Sequence, residues 1–357
     1  MLGLTLLLCL GQLPANSPLS REGLDGAERG LRYLARTQEA SGGWRGDVGY
    51  KLQDQYQTWR KGAEHLGVTS LAGMAFLAGG HVPGRGPYGE TVQKAVDYIL
   101  KYVRSDGYIT GNETRMYSHA FATLFLAEVY GMTEREDVRD ALQRAVHLIV
   151  ASQNSQGGWR YQPHVADADM SVTVCQVVAL RAARNIGIQV PVNTIDRAIK
   201  YVRDSAVRDN EPPGMSYFAD PVGSFRYQPT YEARATFALT AAGVTTLHGA
   251  GVYGDAEIER GLQYLESEVD DFSRLWGLGH QGHYFFYYGH YYAVQAFHMA
   301  GGRRYQNYFK SIQSYLLRMQ NAAGWWPNHQ GPGRNFSTAV ACLILQIPKE
   351  YLPIFQR

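Results

Sequence analysis

One frame of residues recurs along the chain, and that repetition narrows the possible folds more than any other feature. Residues 29 to 44 read Arg29-Gly30-x-x-Tyr33-Leu34-x-x-x-Gln38-x-x-x-Gly42-Gly43-Trp44. The frame returns as Arg144-Ala145, Leu148-Ile149, Gln153 and Gly157-Gly158-Trp159, and again as Lys310-Ser311, Tyr315-Leu316, Gln320 and Gly324-Trp325. Its front half alone recurs as Lys94-Ala95 with Tyr98-Ile99, Arg197-Ala198 with Tyr201-Val202, and Arg260-Gly261 with Tyr264-Leu265. Six copies of one unit mean a repeat architecture, in which each unit leaves an apolar face for its neighbour to cover. The pentapeptides Trp159-Arg160-Tyr161-Gln162-Pro163 and Phe225-Arg226-Tyr227-Gln228-Pro229 echo each other and fix the register of the third and fourth units.

Each front half predicts an amphipathic helix. Across 137 to 150, Val138, Ala141, Leu142, Ala145, Leu148 and Ile149 share one stripe, while Arg139, Asp140, Gln143 and Arg144 face away. A second helix follows each Gly-rich stop, over 68–79, 119–130, 170–185, 232–243, 290–300 and 335–347, and its residues are apolar or small nearly all round. A helix without a polar face is buried on every side. The unit is therefore an outer helix, a loop and an inner helix, and the chain is all-α. Periodicity alone leaves an open solenoid and a closed ring as alternatives.

The recurring frame resembles the QW motif of squalene–hopene cyclases and their relatives in the terpenoid cyclase and protein prenyltransferase superfamily, over the chain from about residue 22 to the end. That resemblance implies an (α/α)6 toroid: a closed ring of six hairpins in one domain over 22–357, preceded by 1–21 as a leader or unstructured stretch. It also implies that any cavity lies in the middle, with the inner-helix N-termini gathered at one mouth. The motif residues themselves read as structural. The Gly allows a left-handed turn, the Trp ring packs the hairpin closed, and the Gln is expected to bond free amides of the next helix.

Candidate site residues lie where each inner helix begins: His65 and Thr69, Tyr117 and His119, Asp167 and Asp169, Tyr231 and Glu232, His283 and His290, then His329 and Asn335. Gathered at one mouth they form a ring of His, Asp, Glu and Tyr, a convergent polar site over an aromatic lining. Taken singly, Asp169, Ser171, Asn335 and Ser337 are equally good N-caps, and Glu232 suits a first turn. The run Tyr284-Phe285-Phe286-Tyr287-Tyr288-Gly289-His290-Tyr291-Tyr292 leads into the fifth inner helix. Its ring faces suit a carbocation, an isoprenoid chain or a sugar, and a hydrophobic plug is the alternative use.

The segment Asp167-Ala168-Asp169-Met170-Ser171 is similar to the Asp-x-Asp-Asp-Thr motif with which squalene–hopene cyclases protonate an alkene. The resemblance places Asp169 as the proton donor and Asp167 as its tuning partner. Met170 stands where the third acid belongs, and one toroid stands where full squalene cyclases have two. The zinc site of the prenyltransferase branch needs an Asp-x-Cys pair; here Asp169 and Cys175 lie too far apart, and His280, His283 and His290 match no ligand spacing. No metal and no cofactor are expected.

Composition removes other classes. With 34 Lys+Arg against 32 Asp+Glu and no charged runs, no basic stripe exists for nucleic acid. Cys175 and Cys342 fall inside apolar helices and read as inert buried thiols, and Cys9 lies in the apolar N-terminus. Leu2 to Leu10 is an apolar run too short to span a bilayer, followed by small residues Ala15-Asn16-Ser17; it resembles a secretory signal without its basic start, so export is the expectation. The function that follows is an acid-initiated isoprenoid cyclase or isomerase acting on a hydrophobic small molecule. The alternative is a non-catalytic exported toroid that binds a lipid, glycan or protein at the same mouth. No membrane span is expected.

Overall fold

The computed structural model describes residues 17–52, 55–209, 220–230, 233–271, 285–328 and 331–356. Six outer helices, α1 (Arg21–Thr37), α3 (Gly89–Lys101), α5 (Glu136–Ala151), α7 (Val192–Asp204), α9 (Ala256–Asp271) and α11 (Gly302–Met319), alternate with six inner ones. The inner helices are α2 (Leu66–Ala78), α4 (Met116–Thr133), α6 (Met170–Asn185), α8 (Phe237–Gly249), α10 (Phe286–Ala300) and α12 (Arg334–Gln346). Every residue of α2 is buried, whereas α5 buries only the stripe of Val138, Ala141, Leu142, Ala145, Val146, Leu148 and Ile149. Each inner helix packs on the next, and α12 packs back on α2, so the six hairpins close into a ring.

The repeated frame works as a clasp between units. Gly42, in the loop after α1, has φ +97°, and a Cβ built there would lie 2.2 Å from the carbonyl oxygen of Lys94 on α3. The same approach recurs at Gly107 on Arg144, Gly157 on Arg197, Gly223 on Arg260 and Gly324 on Arg29. The acceptors are the basic residues that open the frame in the next unit, and the Gly324–Arg29 contact closes the circle. Glycine is required because a side chain would strike backbone that cannot move aside.

Trp44 and Trp159 are fully buried, and their indole N–H groups donate to Leu34 O (2.8 Å) and Ile149 O (2.7 Å) of their own outer helices. In the sixth unit that position belongs to Trp326, whose Nε1 donates to Leu316 O at 2.7 Å; the expectation of Trp325 is off by one residue, and Trp325 instead stacks under Arg334. Counting six residues on from the Gln gives the right tryptophan in all three copies. The Gln side chains bond carbonyls rather than amides. Gln38, Gln153 and Gln320 each donate Nε2 to the loop Gly (42, 157, 324) and to Thr91 O, Thr194 O or Gly26 O of the next outer helix, at 2.8–3.0 Å.

Two features depart from a plain helical ring. An antiparallel hairpin, β1 (Arg45–Leu52) and β2 (Gln55–Glu64), pairs Arg45 with Glu64 and stands between α1 and α2 where only loop was expected. At the other end of the chain, Pro353–Phe355 forms a 3-10 turn that packs on α6; Ile354 N–H donates to Glu128 Oε1 on the C-terminal half of α4, and Phe355 meets the ring of Tyr291. Cys175 and Cys342 are buried and unbridged. No helix among the described residues is long and apolar enough to cross a membrane.

Candidate active site

The loops that lead into the inner helices bond to one another around one mouth. Asn112 donates to Glu64 O, Met116 N–H to Tyr161 O, Met170 N–H to Tyr227 O and Asp47 N–H to Pro332 O. The N-cap positions at that mouth are His65, Arg115, Asp169 and Thr236 in the first four units. Asp169 is the one carboxylate among these four.

Its side chain has 0% exposure. Oδ1 accepts from Val172 N–H at 3.0 Å, the capping bond, and from the Ser171 hydroxyl at 2.5 Å. The Tyr117 hydroxyl donates in turn to Ser171 Oγ at 2.5 Å, which orients the serine proton toward the carboxyl. Oδ2 makes no hydrogen bond within ordinary geometric limits, and Arg160 Nη1 stands 3.7 Å from it. Burial raises the Asp169 pKa, while the Ser171 hydroxyl, the Val172 amide, Arg160 and the Tyr227 hydroxyl each favour the carboxylate. With Oδ1 taken up by two donors, a proton on this group resides on Oδ2.

Four tyrosines surround the carboxyl. The Tyr161 and Tyr227 hydroxyls share a 2.5 Å hydrogen bond, and the Arg160 guanidinium lies 5.1 Å and 5.6 Å from the two ring centroids. Tyr288 donates to Ser171 O at 3.1 Å, and the Tyr117 ring stands 6.1 Å from that of Tyr161. Burial first, then the Asp169 carboxyl beside Tyr117 and Tyr227 and the Cys175 thiol beside Tyr288, holds these three phenols well above their ordinary range, so they are neutral donors.

Asp167 plays a different part from the expected one. It is half-exposed, pairs with Arg160 Nη1 at 3.3 Å, and accepts from Gln228 Nε2 at 2.9 Å. Burial of Asp169, rather than repulsion from Asp167, is what disfavours the charged form. Asp167 acts through Arg160, which it shares with Asp169.

Several expected site residues lie elsewhere. His119 is fully buried, and its Nδ1 accepts from Ile109 N–H at 3.1 Å, the task done by the hydroxyls of Thr69, Thr173, Thr240 and Thr338 toward Trp44, Trp159, Phe225 and Trp326. His290 is buried against α11, with Nδ1 2.8 Å from the Tyr308 hydroxyl. Tyr287 donates to Pro327 O, and Tyr291 packs against Phe121, Tyr292 and Phe355 deeper in the ring. Asn335 donates to Arg45 O and ties α12 to β1. Of the expected ring, Tyr117, Asp167 and Asp169 come together, joined by Tyr288 from the aromatic run. Glu232, Tyr231, His283 and His329 lie outside the described residues. The site adds Arg160, Tyr161 and Tyr227, all carried by the pentapeptide echo, and Ser171, expected as a candidate cap, lies inside α6 behind the cap Asp169 and serves as a relay. Among the described residues, no three His, Cys, Asp or Glu side chains are grouped to hold a metal.

Compared by sequence, the chain matches no family model and no curated protein. Compared by structure, it is similar to the type II terpene cyclase MstE from Scytonema, at 13% identity and a TM-score of 0.59, over 93% of this chain and 100% of that one. The fold is the (α/α)6 toroid. An inactive variant of the alpha-1,6-mannanase GH76A of Salegentibacter sp. HEL1_6, in complex with alpha-1,6-mannotriose, is similar at 8% identity and a TM-score of 0.63, over 92% and 99% of the two chains. A protein from Actinoplanes matches at 14% identity and a TM-score of 0.59, over 92% and 99%. MstE has also been captured with geranylgeranyl dihydroxybenzoate as its substrate. At such identities the toroid is what these proteins share with this chain.

Proposed function

We propose that the chain is an acid-initiated isoprenoid cyclase or isomerase, with Asp169 as the proton donor. The observation that carries this reading is a wholly buried carboxyl with one oxygen taken up by two donors and the other outside hydrogen-bond geometry, faced by Arg160 Nη1 at 3.7 Å, the whole set among four tyrosine rings. Protonating an unactivated alkene calls for a neutral acid whose conjugate base is stabilised at once. As the Oδ2–H bond breaks, its electron pair stays on the carboxylate and the alkene π pair forms the new C–H bond. The carboxylate is met by Ser171, the Val172 amide and Arg160, and the carbocation by the faces of Tyr117, Tyr161, Tyr227 and Tyr288. Loss of a proton from the cation to the Asp169 carboxylate restores the acid and gives an alkene product. Met170, in the place of the third acid of the similar cyclase motif, is buried and gives its N–H to Tyr227 O, so here Ser171 and Arg160 do the tuning.

The alternative, a toroid that binds a lipid or glycan at this mouth without chemistry, predicts the same binding and no proton transfer. Incubation with geranylgeranyl-chain substrates in D2O separates them: the enzyme places one solvent deuterium on carbon, and Asp169→Asn abolishes that incorporation while the substrate still binds. Absence of incorporation across the substrates that bind would overturn the cyclase reading. Export, expected from residues 2–17, belongs to the same proposal and is tested by cell fractionation.

A further inference from the structure

A concavity opens beside the mouth and is absorbed by neither the fold nor the acid site. It is an open groove of about 540 Å³ between the hairpin and the loop before α4, and its walls include Trp59, Arg104, Tyr108, Glu113, Arg115 and Gln162. That volume suits the head of a small molecule. Its charge is positive. The single carboxylate, Glu113, is already paired with Arg60 at 2.8 Å. Among the described residues, neither Arg104 nor Arg115 has a carboxylate within ion-pair distance, and both are held by aromatic faces instead: Arg115 lies 4.3 Å from the Trp59 ring centroid and Arg104 5.7 Å from that of Tyr108. A guanidinium stacked on a ring is fixed in direction while its N–H fork stays free, which is the arrangement that grips a carboxylate or phosphate. Gln162 is positioned by the Tyr108 hydroxyl, which donates to its Oε1 at 3.3 Å, and its amide N–H2 adds a neutral donor.

The pocket is built from segments that continue into the acid site. Arg115 precedes Tyr117 by two residues, Gln162 follows Tyr161, and the Met116 N–H to Tyr161 O bond at 3.1 Å joins the two segments. We propose that this pocket takes the anionic head, a carboxylate or a phosphate, of the molecule whose apolar chain extends past Tyr117 and Tyr161 to Asp169. This rests on the function proposed above and specifies its substrate as an acid-headed prenyl compound.

The test is a titration of the full chain, followed by calorimetry and Trp fluorescence, with geranylgeraniol, geranylgeranoic acid and geranylgeranyl phosphate, and with benzoate and inorganic phosphate as head-only probes. Both prenyl anions are expected to bind about tenfold or more tightly than the alcohol, and their ranking tells carboxylate from phosphate. Arg104→Gln with Arg115→Gln should bring the anions down to the alcohol's affinity with the circular dichroism spectrum unchanged; Arg115→Lys should restore part of the preference, and Asp169→Asn should leave it intact. Equal binding of alcohol and anions by the native chain, or a preference that survives loss of both guanidinium groups, overturns the proposal. Head-only probes that bind the native chain but not the double variant, with no gain from the prenyl chain, would keep the pocket's ligand class and overturn the isoprenoid function instead.

Discussion

Replacing Asp169 by asparagine tests the protonation state on which the acid mechanism depends, without any substrate. The amide keeps an oxygen for Val172 N–H and the Ser171 hydroxyl, so the α6 cap survives, and the stability change from packing alone should stay below about 1 kcal/mol. The informative quantity is how the difference in unfolding free energy between the two proteins varies with pH. Burial raises the native Asp169 pKa above that of an unfolded aspartate near ~3.9, so between the two values the native state binds more protons than the unfolded one. Stability then falls as pH rises through that window, by up to about 1.4 kcal/mol per pH unit, and the variant lacks this slope. Urea unfolding of both proteins at a series of pH values should therefore show the native advantage greatest in acid, declining until Asp169 ionises in the folded state, then level. A difference that is flat, or that grows with pH, would mean that Ser171, the Val172 amide and Arg160 hold Asp169 as a carboxylate, and the proton donor would be lost from the mechanism. Asp169→Ala goes further. It orphans a first-turn amide and a buried hydroxyl, and should cost about 2–3 kcal/mol on top of the same pH-dependent difference.

Glu128, buried in α4, is pushed by burial from its ordinary value of 4.5 to about 8, so native stability also declines as pH rises through that interval; Glu128→Gln should remove the decline, and parallel profiles in urea unfolding would refute it. Gly42→Ala should cost about 2–4 kcal/mol, since the new methyl meets Lys94 O, whereas Gly62→Ala, at φ +59° with open space around it, should cost about 1 kcal/mol; equal losses in chemical denaturation would show that backbone strain alone matters. Trp326→Ala should cost about 3–5 kcal/mol and the neighbouring Trp325→Ala less than about 1.5 kcal/mol, a comparison that checks which indole closes the sixth hairpin.

The toroid was legible in the sequence because its clasps are made of residue types with few substitutes. A loop that lays its backbone against a neighbouring carbonyl needs glycine, and the indole that spans back to its own helix needs tryptophan, so the frame survives in letters. The second and fourth units hid because their clasps use Gly107 with Ile109 and Gly223 with Phe225, which keep the glycine and drop the tryptophan. The β-hairpin left a fainter trace: Tyr50 and Trp59, whose rings meet 5.3 Å apart across the strands, alternate with polar residues over too few positions to stand out from loop. The start of α8, placed near 232 by hydrophobicity, falls at Phe237, because the cap Thr236 outranks apolar character in ending a helix.

The mouth was harder to read, for a reason of phase. Side chains five residues into an inner helix point to quite different surroundings from those at its N-cap, and a list of polar residues near each helix start mixes the two. His119 and His290 lie four and five residues beyond their caps, Arg115 and Phe285, and turn outward, one to a loop amide and the other to α11. Asp169 sits at the cap itself and Ser171 two residues on, facing Tyr117 and Tyr288. What places Tyr161 and Tyr227 within 2.5 Å of each other is that both belong to the same position of the pentapeptide that enters an inner helix, one unit apart. In a closed ring, equivalent positions of adjacent units become neighbours at the rim. The repeat that builds the wall thus also pairs the hydroxyls, and the cap of α6 departs from it with a carboxylate where the other inner helices have His65, Arg115, Thr236, Phe285 and Gly333; the function proposed above puts its acid at that departure.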